Sequence, residues 1–224
     1  MQVYLSYTLA PGDVVWPGEP TVEIHQFTSV EKDGYNSYKT LLPNHHGTHY
    51  DAPNHFNAAG PKITELPMDY FWFDRVCVLD LPKEPGQGVT REDLEARRQQ
   101  IGDAQLLLFK TGFARYREEQ PRVYEESGPF FYPEACVYLV ENFPALRCIG
   151  MDFLSIGSPS NKLSPQAHRT LFGCHNGRFV TGIEDMDLRP LYGAQKALKT
   201  VIVAPLRLVG VDSSQVTVFG VLED

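Results

Sequence analysis

The chain of 224 residues carries 20 Lys and Arg residues against 28 Asp and Glu residues, which gives a net charge of −8. This negative balance opposes the phosphate backbone of nucleic acids and the anionic surface of a membrane, so we expect neither as a partner. Hydrophobic residues make up 42 % of the chain, which excludes a disordered protein. At this length we expect one large domain over residues 1–224.

The cysteine pattern favours a reducing compartment. The four cysteines show no Cys-x-x-Cys spacing, and three of them lie in apolar runs, which is typical of buried free thiols. The N-terminus lacks a basic stretch followed by an apolar core, and no run of about 18 apolar residues occurs. We therefore expect a cytoplasmic protein that is neither exported nor inserted in a membrane.

Two strands are predicted near the N-terminus, over residues 3–9 and 22–27, because strand-favouring residues recur in each between turn residues. A loop rich in proline and glycine separates them and carries Trp16. Trp16 could line a substrate pocket or cap the hydrophobic core.

A loop over residues 44–56 has the composition of a metal site. It contains four of the seven histidines together with one aspartate: His45, His46, His49, His55 and Asp51. Imidazole and carboxylate are ligands for divalent ions such as Zn²⁺, Mn²⁺ and Fe²⁺, and three of them with an open position form a catalytic site rather than a structural one. The alternative is a polar connecting loop with incidental histidines.

Residue spacing in this loop predicts an extended ribbon with its ligands on one face. Gly47 and Pro53 oppose a helix, so the side-chain period is two. The histidines and the aspartate at odd-numbered positions then project together, whereas His46 faces away. In a straight strand the Cα atoms of His45 and His49 would lie about 13 Å apart, near the limit for one shared ion, so a bend at Gly47 is required.

The remaining elements predict a mixed order of helices and strands. Strands are expected over residues 75–81, 106–110, 178–183, 200–209 and 216–222. Helices are expected from a cap at Thr90 to Gly102, over residues 133–141, and over residues 164–172 with His168 in the middle. The expected fold class is α/β in the mixed α+β sense, since helices and strands do not alternate cleanly.

The metal loop also resembles a known family signature. It follows the pattern His45-x-Gly47-Thr48-His49-x-Asp51-x-Pro53-x-His55, which is similar to that of the cyclase family, whose best-known members are bacterial kynurenine formamidases and isatin hydrolases. Trp-Pro-Gly at 16–18 and Ile-Gly-x-Asp-x-x-Ser at 149–155 resemble two further segments of that family. The resemblance extends over nearly the whole chain.

This resemblance implies a fold, an assembly and a set of roles. The fold is a swivelling β/β/α domain with a mixed central sheet, and the assembly is a homodimer or homotetramer whose neighbouring subunits complete the pocket. A divalent ion would be bound by His45, His49 and Asp51. His55 would donate and accept protons, and His168 could join a second ion.

One position departs from the family pattern. Where two-metal formamidases carry a bridging glutamate in an Ile-Val-Glu-Gly segment, this chain reads Phe-Val-Thr-Gly over residues 179–182. Thr181 cannot replace a carboxylate, and a second dication without that negative charge would be poorly compensated. We therefore expect one divalent ion, Zn²⁺ or Mn²⁺, with His168 as a weaker ligand or a pocket residue.

Together these residues predict a metal-dependent hydrolase. A bound ion would activate water for attack on an amide, a cyclic amide or lactone, or an ester bond of a small-molecule substrate. His55 would act as general acid and base in this reaction, and Trp16 would contribute to substrate binding.

Two other functions are compatible with part of the pattern. One is a noncatalytic protein that binds a metal or a small molecule. The other is a non-haem Fe(II) oxygenase dependent on 2-oxoglutarate, for which the matching residues would be His49, Asp51, His168 and Arg178. The oxygenase pattern does not explain why His45 and His55 share the parity of the other ligands.

Overall fold

The computed structural model of the chain describes residues 1–193 and 197–223. Its strands are β1 (Gln2–Tyr4), β2 (Glu23–Thr28), β3 (Ser37–Leu41), β4 (His49–Asp51), β5 (Trp72–Phe73), β6 (Val76–Asp80), β7 (Gly88–Val89), β8 (Leu106–Lys110), β9 (Phe130–Phe131), β10 (Cys148–Met151), β11 (Thr181–Glu184), β12 (Leu198–Pro205) and β13 (Ser213–Leu222). Its α-helices are α1 (Val30–Asp33), α2 (Arg91–Glu95), α3 (Arg98–Ile101), α4 (Arg115–Glu119), α5 (Pro121–Ser127), α6 (Pro133–Asn142) and α7 (Ser164–Arg169). Short 3-10 helices cover Pro53–His55, Ile63–Glu65, Met68–Tyr70 and Arg189–Leu191, and a π-helical turn covers Thr170–Cys174.

A mixed sheet runs through the centre of the fold in the order β5-β12-β13-β4-β11-β10-β8-β6, with β1 paired to β13. Strands β6, β8, β10 and β11 are parallel to one another, whereas β4 and the strands beyond it pair antiparallel. The sheet is so strongly curved that β6, at one end of the strand order, contacts β12, which lies next to the other end. The sheet is therefore nearly closed. This arrangement confirms the predicted mixed α+β class with a mixed central sheet.

Apolar side chains of the central strands fill both sides of this sheet. Along β8, Leu107 and Phe109 enter a core that includes residues of α6 and α7, and Leu106 and Leu108 enter a second core that includes residues of β12 and β13. All four side chains are fully buried. A continuous apolar run is typical of a parallel strand that is covered on both faces.

The predicted strands are found, most of them with shifted ends. β8 has the predicted bounds, and β6 lies within the predicted range 75–81. β1 ends at Tyr4 rather than at residue 9, because the backbone beyond it leaves the sheet and forms an isolated bridge from Ser6 to Met186. β13 begins at Ser213, three residues earlier than predicted, because its polar first residues pair with β4.

The helix predicted from Thr90 to Gly102 is interrupted. Thr90 accepts a hydrogen bond from the backbone N–H of Asp93 at 3.2 Å, as predicted for its cap. α2 ends at Glu95, and Arg97 leaves helical geometry while its guanidinium donates to the carbonyl oxygen of Asp93. Two short helices therefore replace the single one.

None of the helices within the described ranges is long and apolar enough to cross a membrane.

The predicted strand at 22–27 forms, but outside the central sheet. β2 and β3 pair only with each other, and we refer to residues 23–41 as the hairpin arm. Most residues of both strands are exposed, so neither face of the hairpin arm packs on a core. The large apolar side chains that it leaves exposed are Ile24, Phe27, Val30, Tyr35, Tyr38 and Leu41.

Candidate metal centre

β4 carries two of the predicted ligands to the middle of the sheet. On the β11 side, Glu184 pairs with His49 and Gly182 pairs with Asp51. Because side chains alternate along a strand, His49, Asp51 and Glu184 project from the same face. These three residues are buried, with 3 %, 0 % and 4 % of their surface exposed.

Gly47 lets the chain turn between His45 and His49. Its φ of +64° lies in the left-handed region, as the predicted bend requires. His45 Nδ1 lies 3.1 Å from Asp51 Oδ1, and His49 Nε2 lies 3.5 Å from the same oxygen. Two of the three ligands predicted from the loop, His45 and His49, therefore converge on the third, the carboxylate of Asp51.

His55 reaches the site in a way that the sequence analysis did not predict. The extended segment does not continue to it, because Pro53 begins a single turn of 3-10 helix, Pro53–His55. Proline suits the first position of a helix, so the expectation that it would keep this segment extended was wrong. The ring of His55 nevertheless lies beside that of His45, with 4.0 Å between centroids.

α7 brings His168 to the same site from the helical side of the sheet. The helix begins at Ser164, as predicted, and continues beyond Arg169 as the π-helical turn. His168 Nε2 lies 3.4 Å from Glu184 Oε1, and the ring stacks on Phe56 with 4.5 Å between centroids. Two segments far apart in the sequence thus meet at Glu184.

Thr181 lies away from the site, and the expectation that it replaces a bridging glutamate was wrong. It has the opposite parity to Glu184 in β11, and its hydroxyl lies 2.5 Å from the hydroxyl of Tyr50 on the other face of the sheet. Glu184 supplies the carboxylate instead, with Oε2 3.3 Å from His49 Nε2. The charge argument against a second ion therefore no longer applies.

Sequence analysis missed two acidic residues of the site, Glu184 and Asp212. Glu184 ends a fully buried strand, and a charged residue in such a position was the available signal. Asp212 directly precedes β13, and its Oδ2 accepts hydrogen bonds from His55 Nδ1 at 2.8 Å and from His45 Nε2 at 3.1 Å. Nothing in the local sequence distinguishes Asp212 from a surface aspartate. It reaches the site only because β13 pairs with β4.

The hydrogen bonds of the buried histidines leave a position for a cation. His49 Nδ1 and His168 Nδ1 each donate to a backbone carbonyl, at 2.7 and 2.8 Å, so Nε2 of each neutral ring carries a lone pair. Both lone pairs face the carboxylate of Glu184, and acceptors that face one another repel unless a proton or a metal ion lies between them. In the described part of the chain, His49 Nε2 and both oxygens of Asp51 are buried without a hydrogen-bond partner. This donor set fits a divalent ion.

Charges in the site favour protonated histidines when no ion is bound. Burial lowers the pKa of His45, but the carboxylates of Asp51 and Asp212 outweigh it and raise that pKa to about 10. The pKa of His49 is also raised, against burial, by Asp51 and Glu184. Hydrogen bonds from two histidines hold the pKa of Asp212 well below its usual range. In His45 a proton thus occupies a position from which a metal ion would displace it.

A cavity of about 500 Å³ opens onto these residues. His45, His55 and His168 line it together with Trp16 and Phe56. Trp16 is partly buried and packs against the core of α6 and α7, so it both lines the cavity and covers the core. The predicted role of Trp16 in substrate binding requires that it line the cavity.

Comparison with known sequences places this site in a family. A sequence model with the description "Putative cyclase" matches residues 3–158. The chain belongs to the cyclase family. The matched residues include the whole metal loop and β10 with the segment that follows it. α7, β11 and β13 lie beyond the match.

Relatives of this cyclase-family chain match between about half and nearly all of its length. An uncharacterized protein of Haemophilus influenzae is 39 % identical over 119 residues, which is 53 % of this chain and 84 % of that protein. The kynurenine formamidase of Geobacillus thermodenitrificans is 28 % identical over 204 residues, 90 % of this chain and 88 % of the enzyme. The structure of an isatin hydrolase bound to the product analogue thioisatinate has a TM-score of 0.82 and 19 % identity, and the match covers 99 % of this chain and 92 % of that one. At that identity, the likeness shows a shared fold.

The oxygenase pattern is not assembled in this cyclase-family chain. The guanidinium of Arg178 donates to the carbonyl oxygens of Val140, Phe143 and Leu146 at 2.6, 2.7 and 2.5 Å. It therefore fixes the end of α6 and is not available to bind a 2-oxoglutarate carboxylate.

His46 lies outside the candidate centre. It is 1 % exposed. Two clusters of potential metal-binding side chains occur among the described residues, and His46 belongs to neither: His45, Asp51 and His55, and His49, Asp51 and Glu184. Burial lowers its pKa, in contrast to the raised pKa of His45. This position agrees with the opposite parity predicted for it.

Proposed function

We propose that this cyclase-family protein is a metal-dependent hydrolase that cleaves a carbon–nitrogen bond other than a peptide bond in a small molecule. An arylformamide or a cyclic amide is the substrate type that we favour, with a lactone or an ester as related alternatives. One observation carries the proposal: His55, held by Asp212, lies within 4.8 Å of the buried carboxylate of Asp51, on which His45 and His49 converge. The site therefore combines an ion-binding donor set with an adjacent base.

The residues that would hold the ion are His45, His49 and Asp51, and we propose Zn²⁺ or Mn²⁺. Glu184, which groups with His49 and Asp51, would be a donor to a second ion, and His168 would join it through Nε2, 3.4 Å from Glu184 Oε1. A bound ion of this kind lowers the pKa of a coordinated water and polarises an acyl oxygen.

His55 is positioned to move the proton. Because the carboxylate of Asp212 accepts the hydrogen bond from Nδ1, neutral His55 carries its proton there and leaves the lone pair of Nε2 free. Nε2 takes a proton from the attacking water and delivers it to the leaving nitrogen or oxygen, while the water oxygen bonds to the acyl carbon. Asp212 fixes the orientation of the ring and stabilises it when charged.

Two observations support a small aromatic substrate. The cavity is lined by the rings of Trp16 and Phe56 next to the candidate centre. The relatives include a kynurenine formamidase, and the structural neighbours include an isatin hydrolase. Similarity to these two enzymes supports the proposal that this protein cleaves an amide-type bond.

The proposal is tested with His55→Ala and a panel that contains formanilide, isatin, a lactone and an aryl ester. We expect the variant to keep the metal content of the wild-type protein and to lose about 10²- to 10⁴-fold in turnover. His175→Ala, at an exposed pair with Glu141, is the matched control and should keep both. Complete loss of metal from His55→Ala would make His55 a ligand. Wild-type turnover no higher than that of metal-free protein on every substrate would favour the noncatalytic alternative.

We also propose a homodimer or homotetramer. The hairpin arm supports this assembly, because it exposes six large apolar side chains on a segment that packs on neither core. The arm is joined to the metal loop through residues 42–44, so a neighbouring subunit that covers it would lie near the candidate centre. Mass measured in solution for the wild-type protein and for Phe27→Asp tests this assembly, and a monomeric wild-type protein would contradict it.

The cysteines support the cytoplasmic location that we propose. Cys77, Cys136, Cys148 and Cys174 are all free thiols, and two of them are buried. Free thiols persist in a reducing compartment.

A further inference from the structure

The carboxylate of Asp212 has a third side-chain partner, which the proposed mechanism does not use. Its Oδ2 accepts hydrogen bonds from His55 and His45, whereas its Oδ1 accepts one from Asn44 Nδ2 at 2.8 Å. Asn44 and Asp212 lie 168 positions apart in the sequence, so the fold brings them together. Each oxygen of the carboxylate thus has its own kind of donor, imidazole on one and amide on the other.

The chemistry of this contact restricts what Asn44 can do. An ionised carboxylate only accepts hydrogen bonds, so the amide atom that faces it is the NH₂ group rather than the oxygen. A side-chain amide does not exchange protons with a base as an imidazole does. Asn44 can therefore hold the carboxylate, but it cannot take part in proton transfer.

Asn44 is itself fixed to the first residues of β13. The hydroxyl of Ser213 donates to the backbone carbonyl oxygen of Asn44 at 3.1 Å, and the side-chain amide of Gln215 donates to that of Pro43. Ser213 and Gln215 are both buried. The amide of Asn44 therefore reaches Asp212 from a backbone that is held to the same strand.

Packing alone does not fix the carboxylate of Asp212, because 29 % of this side chain is exposed. Its backbone is held, since the N–H of Ala52 donates to its carbonyl oxygen at 2.9 Å. The terminal torsion of an aspartate is nevertheless broad, so the carboxylate group can still turn. A hydrogen bond on Oδ1 opposes that rotation, which would move Oδ2 away from both histidines.

We propose that Asn44 is a positioning residue, which keeps Oδ2 of Asp212 directed at Nδ1 of His55. When His55 takes a proton, the ring becomes a cation beside the carboxylate, and the donor on Oδ1 stabilises the negative charge of that pair. The inference rests on the proposed function and deepens it. It adds a residue that affects proton transfer only through Asp212.

Kinetics of three variants separate hydrogen-bond donation from shape. We expect Asn44→Ala to lower kcat about tenfold, the usual effect of losing a hydrogen bond to a charged group, with KM and zinc content within about twofold of wild type. Asn44→Asp keeps the shape but replaces the donor with an acceptor, so kcat should fall further. Asn142→Ala removes an amide that donates to a backbone carbonyl in α6, and it should keep the wild-type kcat. A wild-type kcat in Asn44→Ala, or a smaller loss in Asn44→Asp, would overturn the assignment.

A double substitution tests whether Asn44 acts through Asp212. In Asp212→Ala the amide has lost its acceptor, so adding Asn44→Ala should lower kcat by less than about twofold. A residue that only supports the fold would give the same loss in both backgrounds. Losses of about tenfold in wild-type protein and in Asp212→Ala alike would therefore overturn the positioning role.

An NMR measurement separates this inference from the hydrolase proposal. Proton–nitrogen correlation spectra of the zinc-loaded protein, recorded at about pH 8 and assigned with His55→Ala, show which nitrogen of the His55 ring carries the proton. We expect the Nδ1–H form in wild type, and a ratio of Nδ1–H to Nε2–H that is about tenfold lower in Asn44→Ala. If no substrate of the panel is hydrolysed but this ratio falls, the hydrolase proposal fails and the positioning role stands. An unchanged ratio overturns the positioning role, whether or not a substrate is hydrolysed.

Discussion

Asp212 Oδ2 accepts hydrogen bonds from both His55 Nδ1, at 2.8 Å, and His45 Nε2, at 3.1 Å. One oxygen thus orients both the proposed base and a proposed ligand. The hydrogen bond at His45 Nε2 leaves Nδ1 directed to Asp51, 3.1 Å away. Asp212 therefore determines which nitrogen of each ring faces the reaction site.

Asp212→Asn should lower turnover without removing the metal. The amide can still accept one hydrogen bond, but it lacks the negative charge that stabilises a protonated imidazole, so we expect kcat to fall about 10- to 100-fold. Metal content measured by mass spectrometry should stay within about twofold of wild type. Asp80→Asn, at an exposed ion pair with Lys110, is the control and should leave kcat unchanged. Unchanged kcat in Asp212→Asn would show that Asp212 has no role in positioning the base.

Glu184→Gln should reduce the number of ions that each chain binds. The carboxylate lies 3.3 Å from His49 Nε2 and 3.4 Å from His168 Nε2, and a neutral amide cannot offset a second dication. We expect two equivalents of metal per wild-type chain under saturating conditions and one in the variant. Glu141→Gln removes an exposed carboxylate beside His175 and should keep the wild-type value. Equal stoichiometry in Glu184→Gln would show that the second ion does not need this carboxylate.

Metal uptake should strengthen as pH rises. In the metal-free protein, burial lowers the pKa of His45 but the carboxylates of Asp51 and Asp212 raise it to about 10, so the ring is protonated at pH 7 and the ion must displace that proton. We expect the apparent affinity to rise about tenfold per pH unit between pH 6 and 8, in competition titrations with a chelator. The rise should be shallower in His45→Gln and unchanged in His175→Gln. A pH-independent affinity of the wild-type protein would contradict this.

The parts of the site that could be predicted from sequence are those set by local geometry. The two-residue period placed His49 and Asp51 on one face of β4, and the need to bring His45 near them required the bend that Gly47 provides. The same kind of local rule identified the Thr90 cap. Each of these predictions depends on residues only a few positions apart.

The parts that could not be predicted depend on strand pairing. Glu184 faces His49 because β11 pairs with β4 in one particular register, and Asp212 reaches the histidines because β13 pairs with the other edge of β4. A shift of one residue would turn Glu184 to the opposite face, where Thr181 lies. Matching a four-residue segment to a family pattern did not fix that register, which is why a carboxylate was expected at the position of Thr181 rather than at Glu184.

Gly47→Ala should weaken metal binding more than it weakens the fold. A Cβ at Gly47 would clash with the side chain of Leu9 and would be strained at a φ of +64°. Gly12 has a φ of +85° with nothing within 4 Å, so Gly12→Ala carries the backbone strain without the clash. We expect both variants to lose about 1 kcal/mol of stability from the left-handed backbone, and only Gly47→Ala to lose metal affinity. Equal metal affinity in the two variants would show that the bend tolerates a side chain.

Asp185→Asn should destabilise the fold strongly, although it follows Glu184 directly. Asp185 is 1 % exposed and receives hydrogen bonds from Arg117 at 3.1 Å and from the hydroxyl of Tyr124 at 2.6 Å. Its φ of +50° is one that asparagine also adopts, so the substitution removes charge without adding backbone strain. Arg117 would then keep only the carboxylate of Asp13, 3.9 Å away, as a counter-charge, and we expect a loss of about 3 kcal/mol in urea unfolding of the metal-free protein. Asp103→Asn, which breaks an exposed pair with Arg75, should cost about 0.5 kcal/mol or less. A similar small loss in Asp185→Asn would show that the buried guanidinium is satisfied without this carboxylate.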